Sequence, residues 1–310
     1  MLTYVIGNLF ESPAQVIVNT VNTVGVMGKG IAKDFKTIYP DMFKEYQKHC
    51  ETGQLTIGKL WLYKTPFKWI LNFPTKTTWK QPSKVEYIEE GLKAFARGYY
   101  AKKITSIAFP ALGCGNGELN WETQVRPLME KYLKPLPIEI FLYLYDRDAN
   151  VPEHRDIKKI SEWLRSEPES MSFHEVWDDL KAIADKKKTF ISFYGKIPFG
   201  LDSSRDENGE FLRIILNGEH NKIYSDEVLE LWDVIRSYGF VFPSVVPPAV
   251  DSYRDYLLAL FSILPYCREI HIAKNYSDLK PLAARGLQFL PRAVSPSSLF
   301  GKKFEQLTAA

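Results

Sequence analysis

Two glycine-rich segments carry the residue pattern of this chain that is most suited to chemistry. They are VNTVNTVGVMGKGIAKDF (18–35) and PALGCGNGELNW (110–121), and each follows an apolar run and precedes a helical pattern. Glycine lets the backbone approach a ligand closely, and a helix N-terminus favours phosphate. Either segment alone could be an ordinary turn, whereas two in one small domain predict a diphosphate held from both sides. The first is not a P-loop, because Gly30 stands where a Ser or Thr would bind magnesium.

The elements that must position these segments alternate between strands and helices. Strands are predicted at 2–7, 14–21, 59–63, 68–73, 104–112 and 138–145, and helices from about 31, at 83–103 and at 120–133. A short turn joins the third and fourth strands, which predicts a hairpin. The alternation indicates an α/β sheet flanked by helices. Ligands of such sheets bind beyond the carboxyl ends of the strands, where both glycine-rich segments fall.

The second half of the chain predicts a further domain with its own core. Helices are predicted at 173–188, 226–239 and 253–264, and strands at 190–195, 211–218 and 268–275. Both an α/β and an α+β arrangement fit this pattern. A length of 310 residues suggests two domains. The polar segment Asp146–Asp156 separates them, so we place the domains at 1–150 and 156–310.

Composition and charge exclude several classes of protein. Hydrophobic residues make up 45% and charged residues 25% of the chain, as in globular proteins, and no apolar run reaches the ~20 residues of a membrane-spanning helix. The N-terminal residues lack a signal-peptide pattern, and three scattered cysteines fit a reducing cytosol without a zinc framework. We therefore expect a soluble cytoplasmic protein with no metal site. The net charge is +5 over residues 1–155 and −2 over residues 156–310, which only weakly indicates a polyanionic partner.

Three stretches together resemble a known family. They are GNLFESPAQVIVNTVNTVGVMGKGIA (7–32), NFPTK (72–76) and FPALGCGNGELNW (109–121). The combination is similar to macrodomains, the ADP-ribose-binding fold, and above all to the macrodomains of DarG-type antitoxins, which remove ADP-ribose from DNA. The resemblance covers about residues 1–147. It implies a three-layer α/β/α sandwich with ADP-ribose across the strand ends, and no cofactor.

The resemblance also implies a set of ligand contacts. Asn8 and Leu9 would lie beside the adenine, where Asn8 replaces the Asp of many macrodomains and keeps an acceptor without the charge. Asn22 would orient the distal ribose, and the glycine-rich segments would hold the diphosphate. The implied ADP-ribose contacts are Asn8, Leu9, Asn19, Asn22, Gly28, Lys29, Gly30, Ile31, Ala32, Leu112, Gly113, Cys114, Gly115, Asn116 and Gly117.

Lys76, the lysine of NFPTK, is the catalytic nucleophile that the resemblance implies. It would attack the anomeric carbon of the distal ribose, expel the base and leave an imine-type adduct that water resolves. A free lysine has a pKa near ~10.4, so the site must lower it by burial or by neighbouring cations. Lys80 and Lys84 could supply that charge. Alternatively they bind DNA together with Trp79 as a stacking surface, although Trp79 could also be a packing residue.

Glu118 is a further candidate for catalysis. In eukaryotic lysine-type relatives an acidic residue of the second glycine-rich segment assists the reaction. This chain has Gly117 at the matching position and Glu118 one step further. Either Glu118 substitutes for that acid, or the lysine works without one.

The resemblance implies a partner for the second half of the chain. DarG-type antitoxins carry a C-terminal domain that binds a DarT-type toxin, a DNA ADP-ribosyltransferase. Four acidic residues of one predicted loop could mimic DNA phosphates in the basic cleft of such a toxin. They are Asp202, Asp206, Glu207 and Glu210. The alternative is an ordinary solvated loop.

The function predicted from these features is that of an antitoxin enzyme with two activities. Its first domain would be a glycosyl hydrolase that removes ADP-ribose from thymidine bases in DNA, with single-stranded DNA the expected form and ADP-ribose the product. Its second domain would sequester the toxin. Two alternatives remain open: a non-catalytic ADP-ribose reader, and a hydrolase of another linkage such as a protein carboxylate ester or O-acetyl-ADP-ribose. Lys76 distinguishes the reader from the hydrolase, because a reader needs no nucleophile and should keep its function in Lys76→Ala.

Overall fold

A computed structural model describes residues 1–144, 152–272 and 285–291 of the chain. The chain divides into two compact units, Met1–Glu162 and Trp163–Ala310. This division lies after the boundary expected at 150–156, because side chains of residues 154 and 155 contact the first unit. Residues 145–151 of the predicted last strand and linker, and residues 273–275 of the strand predicted at 268–275, lie outside the described residues.

A six-stranded sheet forms the middle of the first unit. Its strands are β1 (Leu2–Ile6), β2 (Val16–Asn22), β3 (Trp61–Lys64), β4 (Trp69–Lys76), β5 (Ser106–Pro110) and β6 (Glu139–Leu144), in the order β1-β6-β5-β2-β4-β3. All neighbouring strands are parallel except β3 and β4, which form the predicted hairpin. Its helices are α1 (Gly30–Ile38), α2 (Pro40–Glu51), α3 (Val85–Gly98) and α4 (Arg126–Leu133).

The helices cover both faces of the sheet, because side chains alternate between the faces of a buried strand. On β2, Val18 packs in a core that includes Leu92 of α3. Its neighbour Ile17 packs in a second core, on the opposite face, that includes Tyr46 of α2. The three-layer α/β/α sandwich expected from the sequence is therefore confirmed.

Two predicted helices have different bounds in the structure. The helix expected at 83–103 ends at Gly98, after which the chain turns. The helix expected at 120–133 starts with its Asn cap, because Asn120 Oδ1 accepts a hydrogen bond of 2.9 Å from the Thr123 backbone N–H. Its first turn, Trp121–Val125, is a π-helical turn that leads into α4.

Two features near the strand ends were not predicted. Helix α2 was missed, although Met42 and Tyr46 are buried at helical spacing on one of its faces. Strand β4 continues beyond its predicted end at Phe73 and reaches Lys76. Lys76 is thus held by the sheet itself.

Antiparallel sheets and helices form the second unit. Helix α5 (Ile157–Ser166) begins in the first unit and ends in the second. The further described elements of the second unit are α6 (Phe173–Lys186), β7 (Thr189–Ile191), β8 (Pro198–Asp206), β9 (Gly209–Leu216), β10 (Glu219–Tyr224), α7 (Ser225–Tyr238), β11 (Phe240–Val241), α8 (Arg254–Phe261), β12 (Cys267–His271) and β13 (Arg285–Phe289). The strands form two sheets, β10-β9-β8-β7 and β11-β13-β12, and every pair is antiparallel. The arrangement of the second unit is therefore α+β rather than α/β. One core that includes Trp232 and Leu258 joins the two sheets and the helices.

The acidic segment of the second unit is a hairpin rather than the predicted loop. Asp202 and Asp206 lie on β8, Glu207 lies in the turn, and Glu210 lies on β9. The loop prediction was wrong because β8 ends in the polar residues 202–206, while its buried apolar residues Phe199 and Leu201 lie at the start of the strand.

The structure contains no helix, within residues 1–144, 152–272 and 285–291, that is long and apolar enough to cross a bilayer.

Candidate functional site

The two glycine-rich segments meet at the carboxyl ends of β2, β4 and β5. Asn22 at the end of β2 and Lys76 at the end of β4 are paired across the two strands. A Cβ atom built on Gly30 would lie 2.8 Å from Asn116 Nδ2, so the first segment and the second face each other in close contact. Gly30 also has a φ of +58°, a conformation that glycine adopts without strain. The predicted juxtaposition of the two segments is therefore present.

Asn22 organises the first glycine-rich segment. Its Oδ1 accepts hydrogen bonds from the backbone N–H groups of Val24 (3.1 Å) and Val26 (3.2 Å), and its Nδ2 donates to the Val26 carbonyl at 2.7 Å. The Tyr46 hydroxyl donates to the same Oδ1 and to the Asn22 carbonyl. Asn22 therefore shapes the loop through its own side chain, and its contact with a ribose stays a prediction.

The side chains of two expected ligand contacts are buried in the structure, and their contact with a ligand stays a prediction. Asn19 is fully buried within the sheet, where its Nδ2 donates to Asn72 Oδ1 at 2.9 Å. Leu9 is also fully buried and belongs to the core between the sheet, α1 and α2. Asn8 is exposed, but its Oδ1 accepts from the Phe10 backbone N–H at 3.0 Å and so caps the helical turn Leu9–Glu11.

The remaining expected contact residues of the first segment lie just before helix α1 and in its first turn. Gly28 is buried, Lys29 is partly buried, and Ile31 and Ala32 are partly buried in the first turn of α1. In the second segment Leu112 is fully buried, while Cys114 is partly buried with its Sγ 3.5 Å from the Leu112 carbonyl oxygen.

Gly117 fixes the shape of the second glycine-rich segment. A Cβ atom there would lie 2.3 Å from Ser83 Oγ and 2.4 Å from the Gly113 carbonyl oxygen. The Gly117 carbonyl accepts a hydrogen bond of 3.0 Å from the Ser83 backbone N–H. A side chain at position 117 would therefore displace backbone. Gly115, by contrast, is exposed and has open space around its Cβ position.

Lys76 lies where the two segments meet. Its side chain is 6% exposed, and its Nζ donates a hydrogen bond of 2.7 Å to the Asn116 carbonyl. Burial lowers the pKa of Lys76, and the carboxylates of Glu153 and Glu118 oppose that shift. Of the two causes expected for a reactive lysine, burial is the leading one here.

The expected DNA-binding residues differ in their exposure. Trp79 is fully buried, so a base cannot stack on it and the packing role is the correct one. Lys80 is partly exposed, with Nζ 5.4 Å from the centre of the Trp79 ring, and Lys84 is exposed. Both lysines remain candidates for DNA phosphate contacts.

The helical turn Glu153–Arg155, which lies in the predicted linker, contacts the second glycine-rich segment. His154 Nε2 lies 3.0 Å from Glu118 Oε2, and Arg155 Nε lies 2.5 Å from Glu118 Oε1. The hydrogen bonds from His154 and Arg155 lower the pKa of Glu118 and hold its carboxylate. Glu153, the first residue of the turn, is 7% exposed.

Glu153 is the site residue that sequence reasoning missed. Its charge acts on both Lys76 and Lys29, while burial raises the pKa of its own carboxyl. No local motif indicates that Glu153 belongs to the site, because the residues around it in the fold are distant in the sequence. The one sequence signal is PEHR (152–155), an acidic residue placed after a proline as at a helix start.

The acidic residues of the β8–β9 hairpin are largely paired within the second unit. Asp202 forms an ion pair with Arg213 at 2.8 Å, Asp206 with Lys222 at 2.7 Å, and Glu210 with Lys181 at 3.1 Å. Glu207 is exposed in the turn. Three of the four carboxylates expected to mimic phosphates thus have their charge offset by an adjacent cation.

Residues 18–128 match the family model described as "Macro domain". Residues 18–128 are a macro domain. The match spans both glycine-rich segments and Lys76, while Glu153 lies beyond it.

Relatives of known name match the macro domain and its flanks. A protein of Thermus aquaticus named DNA ADP-ribosyl glycohydrolase is 46% identical over 148 residues, which are 46% of this chain and 41% of the relative. A Thermosipho africanus protein named DNA ADP-ribosyl transferase-DNA ADP-ribosyl glycohydrolase fusion protein is 40% identical over 162 residues, 46% of this chain and 42% of that one. The solved macrodomain of Mycobacterium tuberculosis DarG is 44% identical and aligns with 46% of this chain and 97% of that one, with a TM-score of 0.45. The match to the first two relatives spans less than half of their length.

No group of three or more His, Cys, Asp or Glu side chains in the described ranges is arranged to hold a metal ion.

Proposed function

We propose that the macro domain is a glycosyl hydrolase that removes ADP-ribose from thymidine bases in DNA, with Lys76 as the nucleophile. The observation that carries this proposal is the buried amine of Lys76 at the junction of the two glycine-rich segments. A surface lysine would be protonated and hydrated at neutral pH, whereas burial favours the neutral amine. The name of the 46% identical Thermus aquaticus relative supports DNA as the carrier of the ADP-ribose.

The two segments would hold the substrate so that its distal ribose faces Lys76. Backbone N–H groups of the glycine-rich segments and the N-terminus of α1 suit a diphosphate. Lys76 lies at the junction of the two segments, where its Nζ donates a hydrogen bond to the Asn116 carbonyl of the second one. Binding of the diphosphate would therefore place the anomeric carbon next to the amine.

The reaction would pass through a covalent adduct. The Lys76 nitrogen forms a bond to C1″ of the distal ribose while the bond from C1″ to the base nitrogen breaks, and its electron pair leaves with the base. The base takes up one proton from water. Loss of a proton from the lysine nitrogen and opening of the ribose ring give an imine. Water then adds to the imine carbon, and cleavage of the carbon–nitrogen bond releases ADP-ribose and restores the lysine.

Release of ADP-ribose from a modified oligonucleotide tests this proposal. An ADP-ribosylated thymidine oligonucleotide is incubated with the wild type and with Lys76→Ala, and its mass is followed. Lys68→Ala is the matched control, because Lys68 immediately precedes β4 at the end opposite Lys76 and is also a partly buried lysine whose pKa is lowered by burial. We expect release by the wild type and by Lys68→Ala, and no release by Lys76→Ala.

The other outcomes separate the alternatives. Equal release by the wild type and Lys76→Ala would keep the hydrolase and reject Lys76 as its nucleophile. Binding of ADP-ribose without release would favour a reader. Release from an ADP-ribosylated carboxylate ester or from O-acetyl-ADP-ribose, but not from the oligonucleotide, would assign another linkage.

We further propose that the second unit binds a DNA ADP-ribosyltransferase toxin. The Thermosipho africanus relative supports an association between such a transferase and a glycohydrolase, because its name joins the two in one chain. Charge reversal of all four hairpin acids would also break their ion pairs with Arg213, Lys222 and Lys181. Glu207 in the turn is therefore the informative position.

Calorimetric titration of the purified 310-residue chain with a DarT-type toxin tests this second proposal. Glu207→Lys reverses the exposed charge of the turn, and Glu219→Lys reverses an exposed charge at the next hairpin. We expect the toxin to bind the wild type, and Glu207→Lys to weaken binding more than Glu219→Lys. Equal binding by both variants would exclude the turn as a contact. Absence of binding by the wild type would reject the toxin as a partner.

A further inference from the structure

Glu118, in the second glycine-rich segment, has a backbone conformation that favours glycine. Its φ is +62°, a left-handed conformation in which a residue with a Cβ atom is strained. Its backbone N–H donates a hydrogen bond of 3.1 Å to the Gly115 carbonyl, so residues 115–118 form a turn with Asn116 in its middle. Such strain persists only where the surroundings hold the residue in place, which directs attention to the contacts of the Glu118 side chain.

The carboxylate of Glu118 binds the turn Glu153–Arg155. Its Oε2 lies 3.0 Å from His154 Nε2, and its Oε1 lies 2.5 Å from Arg155 Nε. The side chain of His154 is 9% exposed and that of Glu118 is 26% exposed, whereas Arg155 is largely exposed. The hydrogen bonds with His154 and Arg155 lower the pKa of Glu118, so its carboxylate is ionised at neutral pH and is not suited to donating a proton.

The turn 115–118 also carries the acceptor for the Lys76 amine. Lys76 Nζ donates a hydrogen bond of 2.7 Å to the Asn116 carbonyl. The next residue, Gly117, is held through its own carbonyl, which accepts a hydrogen bond of 3.0 Å from the Ser83 backbone N–H. Ser83 and the contacts of Glu118 thus hold the two residues that follow Asn116. Displacement of this turn would move the acceptor of the amine.

We propose that Glu118, His154 and Arg155 form a clamp that holds the turn 115–118 where the reaction at Lys76 requires it. Glu118 is a positioning residue, and it neither donates nor accepts a proton in the reaction. His154 and Arg155 lie beyond residues 18–128, so the site depends on a segment outside the family match. The inference rests on the proposed function, because the reaction at Lys76 is what the clamp serves.

Single-turnover release of ADP-ribose from an ADP-ribosylated thymidine oligonucleotide tests the clamp from both of its sides. All variants are made in the 310-residue chain and measured at saturating enzyme. Glu118→Ala removes the carboxylate, and the double variant His154→Ala, Arg155→Ala removes both of its partners. Glu122→Ala is the matched control, because it removes the acid of another pair with an arginine, that of Glu122 and Arg126 at 3.1 Å.

Release by Glu118→Ala and by the double variant should be slower than release by the wild type by on the order of 10- to 100-fold, because a small displacement of reacting groups has an effect of this size. Glu122→Ala should match the wild type. The triple variant should be no slower than Glu118→Ala, since the two changes remove the same contact. Slow release by Glu118→Ala with a wild-type rate for the double variant would overturn the proposal and assign Glu118 a direct role on the substrate.

Glu118→Gly separates positioning from folding. Glycine adopts a φ of +62° without strain, so this variant loses the clamp while its free energy of unfolding in urea should be higher than that of Glu118→Ala. We expect it to release ADP-ribose as slowly as Glu118→Ala does. Glu118→Gln keeps an oxygen acceptor for one partner and should recover part of the rate. Rates that follow the free energy of unfolding across these variants would show a merely structural role and overturn the proposal.

Hydrogen–deuterium exchange of peptides that cover residues 113–119 provides a readout that does not depend on activity. The double variant leaves the sequence of this segment unchanged. Loss of the clamp should speed exchange of the Glu118 and Leu119 amides, which donate to the carbonyls of Gly115 and Gly113. Calorimetric titration of the same variant with ADP-ribose should show binding weakened about tenfold, a change of ~1.4 kcal/mol.

The two readouts distinguish failure of the clamp from failure of the proposed function. Unchanged exchange and unchanged ADP-ribose affinity in the double variant would overturn the clamp, whatever the rates of release. Faster exchange and weaker ADP-ribose binding in the double variant, with no release by the wild type, would reject the proposed function and keep the clamp.

Discussion

At the scale of single residues, burial is what distinguishes Lys76 from the lysines that follow it. Lys76 is almost wholly buried, Lys80 is partly exposed and Lys84 is exposed. Removal of water from an amine disfavours its charged form, so of these three lysines Lys76 has the environment that suits a nucleophile. An exposed lysine keeps its charge and its reach, which suits contact with phosphate.

Neutralisation of Lys80 and Lys84 should weaken DNA binding without affecting ADP-ribose binding. In the double variant Lys80→Gln, Lys84→Gln, we expect the affinity for an ADP-ribosylated single strand to fall and its dependence on salt to become shallower. Each lost phosphate contact changes the slope of log K against log salt by about 0.7 for single strands. Fluorescence anisotropy at several salt concentrations measures this slope.

The control for this prediction is the double variant Lys102→Gln, Lys103→Gln. These lysines are exposed and precede β5, so they lie at the amino ends of the parallel strands, whereas the site lies at the carboxyl ends. An equal change of slope in both double variants would show that net charge, rather than the position of Lys80 and Lys84, sets DNA affinity.

At the scale of elements, the site depends on two loops whose course is determined by a few specific contacts. The first loop is held by the Asn22 side chain, and the second by the packing of Gly117 against Ser83 and the Gly113 carbonyl. Both follow buried parallel strands, so the sheet fixes where the loops begin. Backbone contacts then fix their course.

Substitution of Gly117 should damage the second loop, whereas substitution of Gly115 should not. The Cβ of Gly117→Ala would overlap Ser83 Oγ and the Gly113 carbonyl oxygen, and displacement of backbone of this kind costs about 1–3 kcal/mol of folding free energy. We expect a lower free energy of unfolding in urea and at least about tenfold weaker ADP-ribose binding, a change of ~1.4 kcal/mol.

Gly115→Ala provides the comparison, because its Cβ meets no atom within 4 Å. Its free energy of unfolding should stay within about 0.5 kcal/mol of the wild type. If both alanine variants bound ADP-ribose as the wild type does, the shape of this loop would not determine binding.

At the scale of the whole molecule, two units with their own cores share one chain. The first has a core on each face of its sheet, and the second has the core that includes Trp232 and Leu258. Chains with separate cores commonly unfold in more than one step. A ligand of one unit stabilises that unit by mass action.

ADP-ribose should therefore raise the unfolding midpoint of one transition only. At a concentration 100 times its Kd, it adds ~2.7 kcal/mol to the free energy of unfolding of the unit that binds it. Differential scanning calorimetry with and without ADP-ribose measures the effect. Leu231→Ala, which removes a fully buried side chain from the core of the second unit, should lower the other transition. A single transition that moves under both changes would contradict independent unfolding.

The residue pattern alone predicted the fold of the first unit and the meeting of the two segments that form its candidate site. Buried parallel strands read as apolar runs, and glycine-rich turns between strand and helix are local features. The α/β/α layers, the β3–β4 hairpin and the meeting of the two glycine-rich segments could therefore be predicted. Asn120 was recognised as a helix cap for the same reason, since capping depends on residues three positions apart.

Packing in three dimensions determines which side chains are available to a ligand and which groups surround Lys76, and the local sequence does not reveal it. The motif that contains Asn19 and Trp79 does not reveal that both are buried, because burial depends on what packs from distant parts of the chain. The ion pairs of the β8–β9 hairpin depend in the same way on strand register. Glu153 is 77 positions from Lys76 in the sequence, and the contacts of Glu118 with His154 and Arg155 tie its turn to the second glycine-rich segment.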